Sequence, residues 1–108
     1  MLPRAALERT FHKYWEFFKN RRDGVEKWDA YTPYEIRTIG AMAVLGHRDR
    51  AFAALRYFMA ARRPAGWQQW PEVIWRETRT PHFIGDLPHT WVGSDFVRSV
   101  VELMTLRR

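Results

Sequence analysis

Apolar residues recur at helical spacing in four stretches of this chain and lose that spacing in one. In the first stretch Leu7, Phe11, Tyr14, Trp15 and Phe18 fall three or four residues apart, while Glu8, Arg9, Lys13, Glu16 and Lys19 lie largely elsewhere on the wheel. This pattern predicts an amphipathic helix from Pro3, whose missing N–H costs nothing in a first turn, to about Arg22, with Asp23-Gly24 as its stop. A polar connection over residues 23–31, carrying Trp28 and Tyr31, then leads to Thr32-Pro33-Tyr34-Glu35. That tetrapeptide has the form of a capping box, in which the threonine hydroxyl accepts from a free N–H and the glutamate reaches back. The helix it predicts would bury Ile36, Ile39, Ala43 and Val44 and end at Gly46, with Gly40 and the neighbouring alanines leaving one side small enough for close helix contact.

A third helix starts almost at once, with Asp49 in its first turn. Its expected stripe is Phe52, Leu55, Phe58 and Met59, leaving Arg48, Arg50, Arg56 and Arg62 to solvent. So short a link predicts an antiparallel αα-hairpin. The last helix, capped by Thr90 or Ser94 and reaching about Leu106, carries Phe96, Val97, Val100, Val101, Leu103 and Met104. These cover more than one face, and such a helix is normally buried on several sides. Four helices cannot bury it fully, so the expectation is a homo-oligomer.

The stretch without helical period is 64–89, where only Val73-Ile74-Trp75 reads as a strand. A connection this long in a compact domain is usually functional or disordered. Disordered segments are poor in aromatic and apolar residues, whereas four of the six tryptophans fall between Trp67 and Asp95. We therefore expect a single all-α domain over residues 1–108, about four helices carrying an ordered aromatic loop.

Composition narrows the chemistry. With no cysteine there can be no disulfide, thiolate metal site or cysteine nucleophile. The apolar runs are too short for a membrane span or for the core of a signal peptide, so no membrane partner is expected and the compartment stays open, cytoplasmic if the chain is a complete product. A formal charge of +6 raises nucleic acid as a partner. The basic residues are spread along the chain, however, and the pairs Arg21-Arg22, Arg62-Arg63 and Arg107-Arg108 sit near predicted helix ends, where cations complement the dipole. Nucleic acid thus ranks behind a structural role for this charge.

Candidate chemistry is concentrated in the loop and just beyond it, where Glu72, Glu77, Asp86 and Asp95 supply carboxylates. Glycoside hydrolysis uses two carboxylates across the scissile bond. Glu72 lies among Trp70, Pro71 and Trp75, and an apolar setting raises a carboxyl pKa toward acid–base work. Tryptophan faces offer platforms for sugar rings, and histidine can bind their hydroxyls. The competing role for Glu72 is a cap or a pairing with Arg76 or Arg79. His82, Asp86 and His89 match no metal-binding spacing, so no metal is expected. Ser94 lacks a nucleophile elbow, and no glycine loop suited to phosphate is present, so no cofactor is expected.

Residues 31–104, above all Pro88-His89-Thr90-Trp91-Val92-Gly93-Ser94-Asp95-Phe96, resemble the C-terminal part of bacterial six-hairpin, glucoamylase-like glycosidases. In that family a glutamate precedes a glycine-containing loop, and a Pro-x-x-Trp-Ser-x-Ala stretch then opens the closing helix. The counterparts are Glu72, Gly85 and Pro88 to Ser94, where Val92-Gly93-Ser94 stands in place of Ser-x-Ala. The resemblance implies a partial (α/α)6 toroid and carbohydrate as substrate. Glu72 would be the catalytic base, with Trp67, Trp70, Trp75, His89 and Trp91 as sugar contacts. It also implies a fragment that is inactive alone, because a toroid has twelve helices and its general acid would come from an earlier hairpin. The competing expectations are a self-associating helical interaction module and, behind it, a basic nucleic-acid binder.

Overall fold

The computed structural model describes residues 2–27, 29–62, 66–75, 85 and 87–105. Four helices dominate: α1 (Arg4–Arg22), α2 (Thr32–Leu45), α3 (Arg48–Ala60) and α4 (Thr90–Thr105). Two three-residue strands, β1 (Asp29–Tyr31) and β2 (Val73–Trp75), pair antiparallel with Ala30 opposite Ile74. The fold is all-α in character, with α2 at its centre. Both α3 and α4 pack on α2, and β1 runs directly into it.

Helix α1 follows its sequence pattern. Phe18 is fully buried, Phe11, Tyr14 and Trp15 pack around the same core, and the charged residues face outward. Phe18 meets Trp15 at 5.3 Å, Tyr57 edge-on at 5.6 Å and Phe58 at 6.0 Å between ring centroids. Burial of such a ring contributes about 1.5–3 kcal/mol. The helix ends at Asp23, followed by Gly24 at φ +82°. Polar ties fix both ends of α1 on α2. Near the start, Arg4 donates to the Leu45 carbonyl at 2.6 Å, and Glu8 contacts His47 at 2.5 Å. That histidine hydrogen bond holds the Glu8 carboxyl below its ordinary range. Further along, the Tyr14 hydroxyl donates to Glu35, and Arg21 lies 3.5 Å from the same carboxylate. Burial, and then the charge of Glu35, pushes the Tyr14 pKa far up, so this hydroxyl remains a donor.

The capping box expected at Thr32 is not formed. Thr32 is already the first helical residue, the cap position falls on Tyr31, and no side chain caps the helix. Instead the buried Thr32 hydroxyl donates to the Pro71 carbonyl at 2.5 Å, and the Thr32 N–H donates to the Glu72 carbonyl at 2.9 Å. Glu35 turns to Tyr14 and Arg21 for the reason just given. Tertiary partners have displaced the local ones. At the other end α2 stops as its sequence predicts: Gly46 adopts φ +94°, and the His47 N–H reaches back to the Met42 carbonyl.

Helix α2 is covered along most of its length, with Ile36, Ile39, Gly40, Met42 and Ala43 all buried. Its closest neighbour is α4. A Cβ built on Gly40 would lie 2.9 Å from the Ser99 hydroxyl, and that hydroxyl donates to the Ile36 carbonyl at 2.8 Å. Val44, expected inside, is 52% exposed. The buried stripe of α3 is also rotated from the expected one. Ala51, Ala54, Leu55 and Phe58 are buried, whereas Phe52 is half-buried and Met59 lies near the surface. Two of the four buried positions are alanines, and only Gly46 and His47 separate α3 from α2.

Replacing Thr32 by valine keeps the shape of the side chain and removes its donor, leaving the Pro71 carbonyl short of a partner. Urea unfolding should show a loss of about 1–3 kcal/mol, and a change near zero would refute the role given to this hydroxyl.

Candidate functional site

The backbone gathers the loop residues at one end of the helices. Residues 71 and 72 are fastened to the start of α2 through Thr32, and the His89 N–H donates to the Trp70 carbonyl at 2.8 Å just before α4 begins. The loop segments at 70–75 and 87–89 are therefore held against the N-terminal ends of α2 and α4. The Leu87–Pro88 peptide is cis. Gln68 adopts φ +59°, a left-handed conformation that costs a side-chain-bearing residue roughly 1–2 kcal/mol and so must be imposed by its surroundings.

Glu72 is half-buried, and its side chain lies against Gly85. Gly85 has φ +66°, and a Cβ there would come within 2.1 Å of Glu72 Oε2. Only glycine fits this position, on grounds both of space and of backbone conformation. Two residues thirteen apart in sequence are thus brought into contact. His89, just before α4, is half-buried. Its Nδ1 accepts weakly from the Val92 N–H at 3.4 Å, which favours the proton of a neutral ring on Nε2.

The tryptophans divide into two kinds. Trp70 is 6% exposed: its ring packs on Phe96 at 5.2 Å, with the Arg62 guanidinium 5.2 Å from its centroid. Packed in this way it has almost no free face to offer a sugar, and it holds the loop on α4. Trp67 and Trp91 are 66% and 65% exposed. Trp75 enters the ladder opposite Asp29 through its backbone. Glu77, His82 and Asp86 lie outside the described residues.

Around Trp91 the structure adds residues that sequence reasoning did not single out. The Arg37 guanidinium lies 5.8 Å from the Trp91 ring and 6.0 Å from that of Tyr34, and Asp95 holds it at 2.8 Å. Tyr34 is itself 65% exposed. Asp95, one of the four acids considered for chemistry, thus positions an arginine between two open rings. No sequence signal could have linked Arg37 to Asp95, since they lie 58 residues apart on different helices. Beside this cluster, Leu87 to Trp91 line an open hollow of about 420 Å³.

Among the described residues no group of three or more histidines and acids converges on a metal position, and no helix is long and apolar enough to cross a membrane. Comparison with protein-family models, with curated proteins and with solved structures gives no match.

The two kinds of tryptophan should separate on mutation. Trp70→Ala should cost about 3–5 kcal/mol in chemical unfolding, as large-to-small core changes do. Trp67→Ala and Trp91→Ala should each stay within about 1 kcal/mol, the second losing an exposed cation–π contact and an edge-on contact with His89.

Proposed function

We propose that this chain is a carbohydrate-binding helical module of the six-hairpin glycosidase type. Glu72 would be its catalytic base and the partner acid would be supplied from outside these residues. The observation that carries the reading is the contact between Glu72 and Gly85 at the end of the fold that also presents Trp91, Tyr34 and His89. A half-buried carboxylate, an imidazole and exposed flat rings are the groups that a sugar ring needs, the rings for its C–H faces and the polar groups for its hydroxyls. With one carboxylate of the required pair, the chain by itself would bind and not hydrolyse.

The positive charge gives less support to a nucleic-acid partner. Arg4, Lys19, Arg22, Arg37 and Arg98 all sit within ion-pair distance of an acid on the same chain. Phosphate binding at those positions would have to displace an existing partner.

The test is a titration of tryptophan fluorescence with soluble gluco-, xylo- and manno-oligosaccharides. At least one series should quench saturably, Trp91→Ala should abolish the change, and Glu72→Gln should leave the circular dichroism intact while retaining sugar binding at the rings. No response to any of the three series, or the same response from Trp91→Ala as from the parent, would overturn the proposal.

A further inference from the structure

Helices α1, α2 and α4 enclose a cleft of about 480 Å³. Its apolar wall is made by Leu7 and Phe11 of α1 with Ala41, Val44 and Leu45 of α2. Val44, 52% exposed where helical periodicity placed it in the core, lines this space. The charged residues of the cleft come from α2 and α4. Arg37 and Asp95 lie toward the starts of those helices, whereas Val44 and Leu45 are the last two residues of α2, where Arg4 ties α1 to the Leu45 carbonyl. One end of the cleft is therefore ionic and the other apolar.

We infer that this cleft binds an uncharged aliphatic alcohol of medium chain length, its alkyl chain against Leu7, Phe11 and Val44 and its hydroxyl at the Arg37–Asp95 end. The volume falls within the roughly 300–1,000 Å³ of small-molecule sites. Charge selects the head group. Arg37 Nε donates to Asp95 Oδ2 at 2.8 Å, and Arg98 Nε donates to Glu102 Oε1 at 3.3 Å, so each cation of the cleft is neutralised in place. An anionic head would have to displace a carboxylate, and a cationic head would have to displace an arginine. Breaking a shielded pair from one side leaves the other charge uncompensated.

A neutral hydroxyl breaks neither pair. Arg37 engages only Oδ2 of Asp95, which leaves Oδ1 able to accept from the alcohol. The Asp95 side chain is 16% exposed, so that hydrogen bond forms in a setting of low dielectric, where it is stronger than in water. The opposite wall carries no polar side chain, which excludes a polyol with several hydroxyls to satisfy. The inference does not rest on the sugar reading, since none of these residues is among those assigned to sugar.

A titration with n-decanol followed by amide-resolved NMR tests it. The amides of Phe11, Ala41, Val44 and Ser99 should shift together and saturate. Shortening the ligand to n-octanol should weaken binding about tenfold, as the loss of two buried methylenes implies. Decanoate and n-decylamine, both charged at neutral pH, should each bind at least about tenfold more weakly than n-decanol. Asp95→Asn, which removes the carboxylate from Arg37, should turn the preference toward decanoate. Ala41→Phe fills the cleft and should abolish binding. Val44→Asp puts a charge on an exposed part of the wall and should weaken binding at least about tenfold, with an unchanged thermal midpoint showing that the fold is retained. No saturable shift with n-decanol overturns the inference. So does decanoate or n-decylamine binding the parent as tightly as n-decanol, or binding indifferent to Val44→Asp.

Discussion

The Thr32 side chain is where helix and loop become one unit. Its hydroxyl and its backbone N–H both point into residues 71 and 72, so the start of α2 and the aperiodic stretch share their buried hydrogen bonds. A buried carbonyl without a donor costs about 1–3 kcal/mol, and in this structure the loop's carbonyls draw their donors from the helix. The antiparallel pairing of β1 with β2 continues the same junction one step upstream. Position follows from this. Glu72 stands half-buried against Gly85, and Trp70 is packed on Phe96, because the chain on both sides is fixed to the ends of α2 and α4.

That junction also explains what was legible in the sequence. Helices α1 and α2 could be read to within a residue or two, because each carries an apolar stripe at helical spacing and a clear stop, Asp23-Gly24 and Gly46, whereas two candidate caps, Thr90 and Ser94, left the start of α4 open. The strand at Val73 to Trp75 was visible from its β-branched residues. Its partner Asp29 to Tyr31 was not, since a three-residue strand in a polar stretch has no period to detect. The capping box failed for a related reason. Thr32 and Glu35 have the right spacing for local bonds, but residues 39 and 40 positions away, and Tyr14 from α1, compete for the same side chains. Tertiary contacts won.

Among the site residues, burial separated what sequence treated as equal. Trp67, Trp70 and Trp91 share a chemistry, but one of them is a core ring and two are open. The arginine between Tyr34 and Trp91 was hidden because it depends on Asp95 from a different helix. The last helix was expected to be buried on several sides. One of its faces is buried, through Val92, Ser99 and Leu103, and Val97, Val101 and Met104 are left exposed.

The central claim is that the described loop segments are part of the cooperative fold and not a mobile appendage to it. Native-state hydrogen exchange measures this directly, because the amides of Thr32 and His89 donate to the loop carbonyls of Glu72 and Trp70. Both should exchange with the same free energy of opening as the amides in the middle of α2. If instead Thr32 and His89 exchange at the rates of fraying termini while the centre of α2 stays protected, the loop opens independently and the account fails.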